Sequence, residues 1–302
     1  MPLARVAIIG FGEVGRHFAH DLQAAGISEI TAFDIAFGLP DSTQSKAANE
    51  QNVTICRTAG AAVEHADFVV SSVTAGSALD AARSVVGSVR HRPFFLDVNS
   101  VSPATKQEAA ALIEAAGGRY VEAAVMTSVP PHGIRSPMLL GGPYRDAFIA
   151  HVAPLDMNLT AFSDKIGAAS SVKMCRSVMI KGLEALTLEC MLAAHFYGVE
   201  DDVLRSLTDT FPNNDWQALA RYFISRSLLH GRRRAEEMRE VARTVQDAGI
   251  DPLLSAPIAV RQDWAYAQGQ KLEKSVINSE ELETLLISLD RAVRDPARVK
   301  AT

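Results

Sequence analysis

Short apolar runs alternate with amphipathic stretches through the first half of the chain. "RVAIIG" reads as a buried strand closing on a glycine, and "EVGRHFAHDLQAAG" as a helix with one apolar face, stopped at Gly26. "EITAFD" is a second strand; "ADFVVSSV" and "RPFFLDVNS" are later ones, separated by the helical "GSALDAARSVVGSV". Strands apolar on both faces and separated by helices predict an α/β fold built on a doubly wound, Rossmann-type parallel sheet. After Asp164 the alternation stops. A long helix of about 167–197 is followed by helical patterns in "DDVLRSLTDTF", "NDWQALARYFISRSLL", "RRRAEEMREVARTVQDAG", "LLSAPIAVRQDWAYAQ" and "SEELETLLISL". Gly231, Gly249, Pro252 and Pro257 fall near the expected helix ends. The pattern therefore predicts a Rossmann domain over 1–164 and an all-α domain over 165–302, joined by the long helix.

Composition narrows the partners. The chain has 302 residues and a formal net charge of −5, which gives no electrostatic reason to seek nucleic acid or anionic membrane. The basic run Arg232–Arg234 is followed by Glu236, Glu237 and Glu240, and predicts an exposed helix face laced with i,i+4 pairs. Cys56, Cys175 and Cys190 have neither disulfide nor zinc spacing, which fits a reducing cytoplasm. The histidines are scattered without metal-ligand spacing, so no metal is expected. No apolar stretch has bilayer length, and "ARVAIIGFG" lacks the features of a signal peptide. The expected partner is a small molecule.

Chemistry appears first at Gly10-Phe11-Gly12-Glu13-Val14-Gly15, a GxGxxG that follows a strand and opens a helix. The second strand ends on Asp34, at the distance where an acid meets ribose hydroxyls. Glycines let the backbone approach a pyrophosphate, and the helix N-terminus supplies N–H donors. Asp34 would repel a 2′-phosphate, so NAD is the expected cofactor; NADP stays open through Lys46 or an arginine nearby. In such sheets ligands bind beyond the carboxyl ends of the strands. Val73 and Thr74 after one strand, and Asn99 and Ser100 after "FFLDV", join the cofactor set on that ground. "SVSPATKQEAA" also has helix-start chemistry, with Ser102 or Ser100 as cap and Pro103 in the first turn.

The order of these motifs resembles the β-hydroxyacid dehydrogenase superfamily, which includes 3-hydroxyisobutyrate and 6-phosphogluconate dehydrogenases. The GxGxxG is complete. The family's DxSTxxP resembles Asp97-Val-Asn99-Ser100-Val-Ser-Pro103. Its substrate-binding DAPVSGG is matched by position in "VEAAVMTSVPPHG", with Glu122 in the acid's place and Met126-Thr127-Ser128 replacing Ser-Gly-Gly. Its GxGxxxKxxxN is similar to "GAASSVKMCRS", where Gly167 and Lys173 match and Ser177 replaces asparagine. The resemblance implies that Lys173 is the catalytic residue. It also implies that Ser177, Ser100, Met126, Thr127 and Ser128 face substrate, and that the protein is a homodimer. The fourth station, Lys-Asp-Leu, is poorly matched by Arg234-Ala-Glu-Glu237-Met238; "HGRRRAEEMREVA" resembles a subgroup whose C-terminal domain is of unknown function.

On the long helix Ser170, Lys173, Ser177, Lys181 and Glu184 share a stripe about 80° wide, with apolar residues elsewhere. A helix apolar nearly all round is expected to be buried, with its polar stripe lining either a cleft or a second polar interface. Lys181 and Glu184 stand at i,i+3 and can pair, whereas Lys173 has no acid at i±3 or i±4. Partial burial and the helix dipole would lower its pKa toward a proton-transfer range. The expected activity is NAD(P)-dependent hydride transfer to or from a small β-hydroxyacid-like or polyol-type alcohol or carbonyl, with Lys173 as general acid/base and Ser177 beside it. An imine or ketimine reductase and a non-catalytic NAD-binding sensor are the alternatives.

Overall fold

The computed structural model describes residues 5–294. Its sheet has eight strands: β1 (Arg5–Ile9), β2 (Glu29–Phe33), β3 (Thr54–Ile55), β4 (Phe68–Ser71), β5 (Phe94–Asp97), β6 (Arg119–Val125), β7 (Met138–Gly141) and β8 (Leu159–Ser163). They lie in the order β3-β2-β1-β4-β5-β6-β7-β8, and β6–β7 is the antiparallel pair. The doubly wound sheet expected from the alternating pattern is thus present. Successive residues of each strand feed two different cores. Val6, Ile8, Phe68, Val70, Phe94 and Leu96 pack on one face, under α1 (Glu13–Ala24), α2 (Thr43–Glu50) and α7 (Arg145–Val152). Ala7, Ile9, Val69 and Phe95 pack on the other, under α3 (Ala59–Val63), α4 (Ala78–Val85) and α5 (Pro103–Ala115). A short helix α6 (Val129–His132) lies between β6 and β7.

Register brings the strand ends level. Phe33 pairs with Ile9, Ile9 with Ser71, Ser71 with Asp97 and Asp97 with Glu122, so these five residues are level; the first four end their strands, while β6 runs on past Glu122 to Val125. Asp97 is a structural hub of that row. It is buried, accepts from Tyr120 Oη at 2.6 Å and Asn99 N at 2.9 Å, and stands 2.9 Å from Lys106 Nζ. Lys106 also donates to the Asp97 carbonyl at 2.8 Å, which ties α5 to the end of β5. Burial, with Asp97 adding to it, pushes the Tyr120 pKa well above its usual value, so the phenol stays a donor.

The chain falls into two compact units, Met1–Met174 and Cys175–Thr302, the division lying inside α8 (Ala168–Tyr197). The second unit continues with α9 (Glu200–Thr210), α10 (Trp216–Asp247), α11 (Ser255–Gly269), α12 (Lys274–Ile277) and α13 (Leu282–Arg294). Gly231 does not end a helix, as its composition suggested; it lies inside the 32-residue α10. A Cβ there would meet the Gln262 carbonyl oxygen at 2.3 Å, and one at Gly269 would meet that of Leu228 at 2.4 Å. The two glycines let α10 and α11 pack backbone to backbone. A glycine inside a helix costs about 1 kcal/mol in propensity, which this close packing offsets.

The polar stripe of α8 meets a second polar interface, on α10, but the apolar side is not buried throughout. In the second unit its polar residues Ser177, Lys181 and Glu184 are buried, whereas the apolar Met179, Leu186 and Tyr197 are 64%, 68% and 74% exposed. Charge pairing decides this, because Lys181 and Glu184 find partners on α10. The basic run is corrected likewise: Arg232 and Arg233 are exposed, but Arg234 and Glu237 are turned inward.

Removing one partner of the buried pair at β5 should leave an uncompensated charge. Lys106→Met is expected to cost about 3–5 kcal/mol in urea unfolding, and Tyr120→Phe about 1–3 kcal/mol. A Lys106→Met protein as stable as the parent would remove Asp97 from its place as a hub.

Candidate active site

Two loops and one helix start meet the strand-end row in the first unit. At the first loop each glycine has its own reason. Gly10 has φ +92°, and a Cβ on it would meet the Ser72 carbonyl oxygen at 2.5 Å, so only glycine makes the turn. A Cβ on Gly15 would meet the Gly10 carbonyl oxygen at 2.2 Å; this glycine lets α1 sit close on β1. A Cβ on Gly12 would meet nothing within 4 Å. Gly12 is therefore not required by the fold, and the room above it is where a pyrophosphate would approach the backbone. Ser72 Oγ donates to the Gly10 carbonyl at 2.8 Å and holds the turn, a role the spacing of the motif did not reveal. Phe11 is buried against Phe37, Val14 is half-buried on the core, and Glu13 is exposed at the helix start. Arg16, also missed in the sequence, folds back to donate from Nε to the Gly12 carbonyl at 3.2 Å.

Asp34 follows β2 directly. Its Oδ2 accepts from Phe11 N at 2.7 Å and its Oδ1 from Ala36 N at 2.8 Å. Both bonds orient the carboxylate and leave lone pairs on each oxygen for ribose hydroxyls. Lys46, the candidate rescuer of a 2′-phosphate, is exposed and 3.3 Å from Asp41.

The second loop group joins β4 to β5. Asn99 Oδ1 accepts from Val73 N at 2.7 Å, and its Nδ2 donates to Ser71 Oγ at 2.9 Å. The amide thus fixes the loop carrying Val73 and the exposed Thr74. Ser100 differs from its neighbours: its Oγ is buried and has no hydrogen-bond partner among the described residues. A buried hydroxyl without a partner is costly unless a ligand completes it. Open space over Gly12, the oriented Asp34 and the orphaned Ser100 hydroxyl together fit a nicotinamide dinucleotide.

The helix start comes from Glu122. Its Oε2 accepts from Gly167 N and its Oε1 from Ser170 N, both at 2.6 Å, so a strand side chain caps α8. The carboxylate is buried, and a Cβ on Gly141 would meet its Oε2 at 2.3 Å; that glycine makes room for the cap. Glu122 therefore stands where the resemblance placed a substrate-segment acid, but its bonds are structural. Its charge opposes the dipole that was expected to act on Lys173. Lys173, half-buried, lies in the second turn of this anchored helix. Met126 is half-buried, while Thr127 and Ser128 are exposed. Thr127 Oγ1 donates to the Ser128 carbonyl at 3.2 Å.

Further along α8, in the second unit, Ser177 Oγ accepts from Lys181 Nζ at 3.1 Å. The Lys181–Glu184 pair allowed by spacing is replaced by two pairs to α10. Lys181 Nζ is 2.8 Å from Glu237 Oε2, and Glu184 Oε1 is 2.9 Å from Arg234 Nη2. Burial pushes the Glu184 carboxyl pKa up, against the lowering pull of Arg234, Lys181 and Arg226. Among the described residues no His, Cys, Asp or Glu group is arranged to hold a metal, and no helix is long and apolar enough to cross a membrane.

The glycine turn, the acid after β2 and the strand order define a Rossmann-type dinucleotide-binding unit followed by helices. Residues 5–143 match the NAD-binding domain of 6-phosphogluconate dehydrogenase, and residues 194–265 match a domain of unknown function, DUF1932. A conserved hypothetical protein from Sinorhizobium meliloti is 33% identical, with 96% of this chain and 97% of that one covered and a TM-score of 0.70. MTH1747, a conserved protein of unknown function described as structurally similar to 3-hydroxyacid dehydrogenases, is 34% identical over 88% of this chain and 99% of its own, with a TM-score of 0.66. The 3-hydroxyisobutyrate dehydrogenase of Mycobacterium tuberculosis, solved with L-serine, shares the fold at 18% identity, covering 97% of this chain and all of its own, with a TM-score of 0.66. The chain belongs to the 6-phosphogluconate dehydrogenase-like NAD-binding family, in the group that carries the DUF1932 domain.

Because nothing in the fold opposes a side chain at Gly12, Gly12→Ala should leave the melting temperature within a degree or two while nicotinamide-cofactor affinity falls at least about tenfold. Unchanged affinity by fluorescence titration would move the pyrophosphate away from this loop.

Proposed function

We propose that the protein is an NAD(P)-dependent oxidoreductase that transfers a hydride between nicotinamide and a small β-hydroxyacid-like or polyol-type alcohol or carbonyl, with Lys173 as general acid/base. The observation that carries this reading is the Glu122 cap. It ties Gly167 and Ser170, at the start of the helix that carries Lys173, to the strand that pairs with β5, and this supports the reading. When bound, the nicotinamide accepts or supplies the hydride. Lys173 takes the hydroxyl proton on oxidation and returns it to the carbonyl oxygen on reduction. Ser177, one turn on, hydrogen-bonds that oxygen or a neighbouring one. Ser100 and Asn99 hold the carboxamide or the substrate, and Met126, Thr127 and Ser128 offer backbone N–H groups and hydroxyls to a polar substrate group. Asp34 supports NAD as the preferred cofactor, since its charge opposes a 2′-phosphate.

We also propose that the working form is a homodimer in the cytoplasm. The exposed Met179, Leu186, Cys190 and Tyr197 fall in an arc of about 40° on α8, an apolar seam suited to a second copy. Leu186→Glu is expected to shift the sedimentation coefficient toward that of a monomer; a monomeric parent protein would end this part of the proposal.

A cofactor-reduction screen over hydroxyacids, polyols and amino alcohols, with NAD and NADP, tests the activity. Lys173→Ala should lower kcat by about 10²–10⁴ while cofactor titration stays unchanged. Full activity in that variant would remove the mechanism. Reduction of cyclic imines with NADPH, without turnover of any hydroxyacid, would replace it with an imine reductase. Cofactor binding without turnover of any substrate would favour a sensor.

A further inference from the structure

The glycine turn has to receive a diphosphate, yet two acidic side chains stand at it. Glu13 is exposed in the first turn of α1, and Asp34 accepts from Phe11 N inside the turn at 2.7 Å. Against these carboxylates the dipole of α1 offers roughly half a positive charge. A diphosphate therefore gains from a cation at this turn, and Arg16 supplies it. Helical side chains lean toward the N-terminus, so a long one in the first turn can reach the residue before the helix. Arg16 does so: its Nε donates to the Gly12 carbonyl at 3.2 Å, and its backbone N donates to the same oxygen at 3.1 Å.

The charge of Arg16 is not used up by the chain. Arg5, Arg83, Arg135 and Arg145 each meet a carboxylate, and Arg119 lies over the Phe94 ring. Arg16 is half-buried, yet its Nη1 and Nη2 have no hydrogen-bond or ion-pair partner among the described residues. A guanidinium carries five N–H donors in a planar fork, so four remain after Nε is bonded. With Nε tied to the turn, the fork is already oriented, and less side-chain entropy is lost when a ligand arrives. We propose that Arg16 is a diphosphate clamp, in which the Nε bond holds the guanidinium at Gly12 and the two Nη groups bind the pyrophosphate oxygens of the dinucleotide. This rests on the dinucleotide site at the glycine turn, and not on the hydride-transfer chemistry. The clamp offsets Glu13 and Asp34. It recognises the diphosphate and neither the nicotinamide nor a 2′-phosphate, so it strengthens NAD and NADP alike and leaves the choice between them to other residues.

The test is binding rather than turnover. Dissociation constants for ADP, ADP-ribose and adenosine are measured by competition against NADH fluorescence in the parent, Arg16→Met and Arg16→Gln, with a melting temperature for each protein. Methionine removes both the charge and the bond to Gly12. Glutamine keeps an amide N–H for that carbonyl and removes the charge and the fork, so it carries the comparison if Arg16→Met folds poorly. Both variants should weaken ADP and ADP-ribose at least about tenfold, leave adenosine within about twofold, and leave the ratio of NADH to NADPH affinity unchanged. The loss should shrink at high salt, because a half-buried charge is partly screened. Parental ADP affinity in Arg16→Gln, or equal losses for ADP and adenosine, would make Arg16 a helix-start residue only and overturn the inference while the dinucleotide site stands. A changed NADH to NADPH ratio would move Arg16 to the 2′-phosphate and overturn it likewise. A parent protein that binds neither ADP nor NADH would overturn the dinucleotide site and this inference with it.

Discussion

The candidate site depends on one carboxylate. Glu122 sits in the middle of β6, level with the last residue of β5, and gives both oxygens to backbone N–H groups of the α8 start. A helix start leaves four N–H groups without partners, and burying them uncapped would cost several kcal/mol. Supplying the cap from a strand does more than satisfy donors. It ties the helix that carries Lys173 to the sheet whose loops receive the dinucleotide, through two bonds of 2.6 Å. The arrangement constrains β7 too, since Gly141 must lack a side chain for the carboxylate to fit.

The strand-end row follows the same logic at each station. Asp97 takes Tyr120, Asn99 N and Lys106, and Asn99 in turn ties Val73 and Ser71. Ser72 holds Gly10, and Phe11 N binds Asp34. The acceptors and donors at the edge are consumed by the chain itself almost everywhere. Against that background the buried Ser100 hydroxyl and the open space at Gly12 are informative, because they are places the chain leaves for something else.

Much of this was legible in the sequence because it rests on local rules. Strand–helix alternation gave the sheet, and the glycine spacing with Asp34 gave the dinucleotide turn, since both depend on residues near one another along the chain. Long-range pairings were not legible. Nothing in "VEAAV" says that its glutamate will cap a helix starting 45 positions later. Nothing in "GRRRAEE" says that Arg234 and Glu237 will turn inward, because spacing describes a helix's own neighbours and not those of the helix beside it. Gly231 misled for a related reason: its role is a backbone approach from Gln262, invisible without α11.

α8 shows why hydrophobicity alone was a poor guide to what is buried in the second unit. Its apolar residues outnumber its polar ones, so burial of the apolar side was the natural expectation. Charges, however, are the groups whose burial must be matched, and α10 carries the matching set: Glu237 for Lys181 and Arg234 for Glu184. Once those pairs form inside, geometry forces part of the apolar stripe outward, with Met179, Leu186 and Tyr197 left exposed. Replacing such pairs with apolar residues is often neutral or stabilising, so folding stability does not explain their presence. What the pairs do achieve is orientation. They hold Lys181 where it donates to the Ser177 hydroxyl on the inner side of the helix. Packing density and charge pairing thus pull the same helix in opposite directions, and the outcome is set by the group whose misplacement costs more.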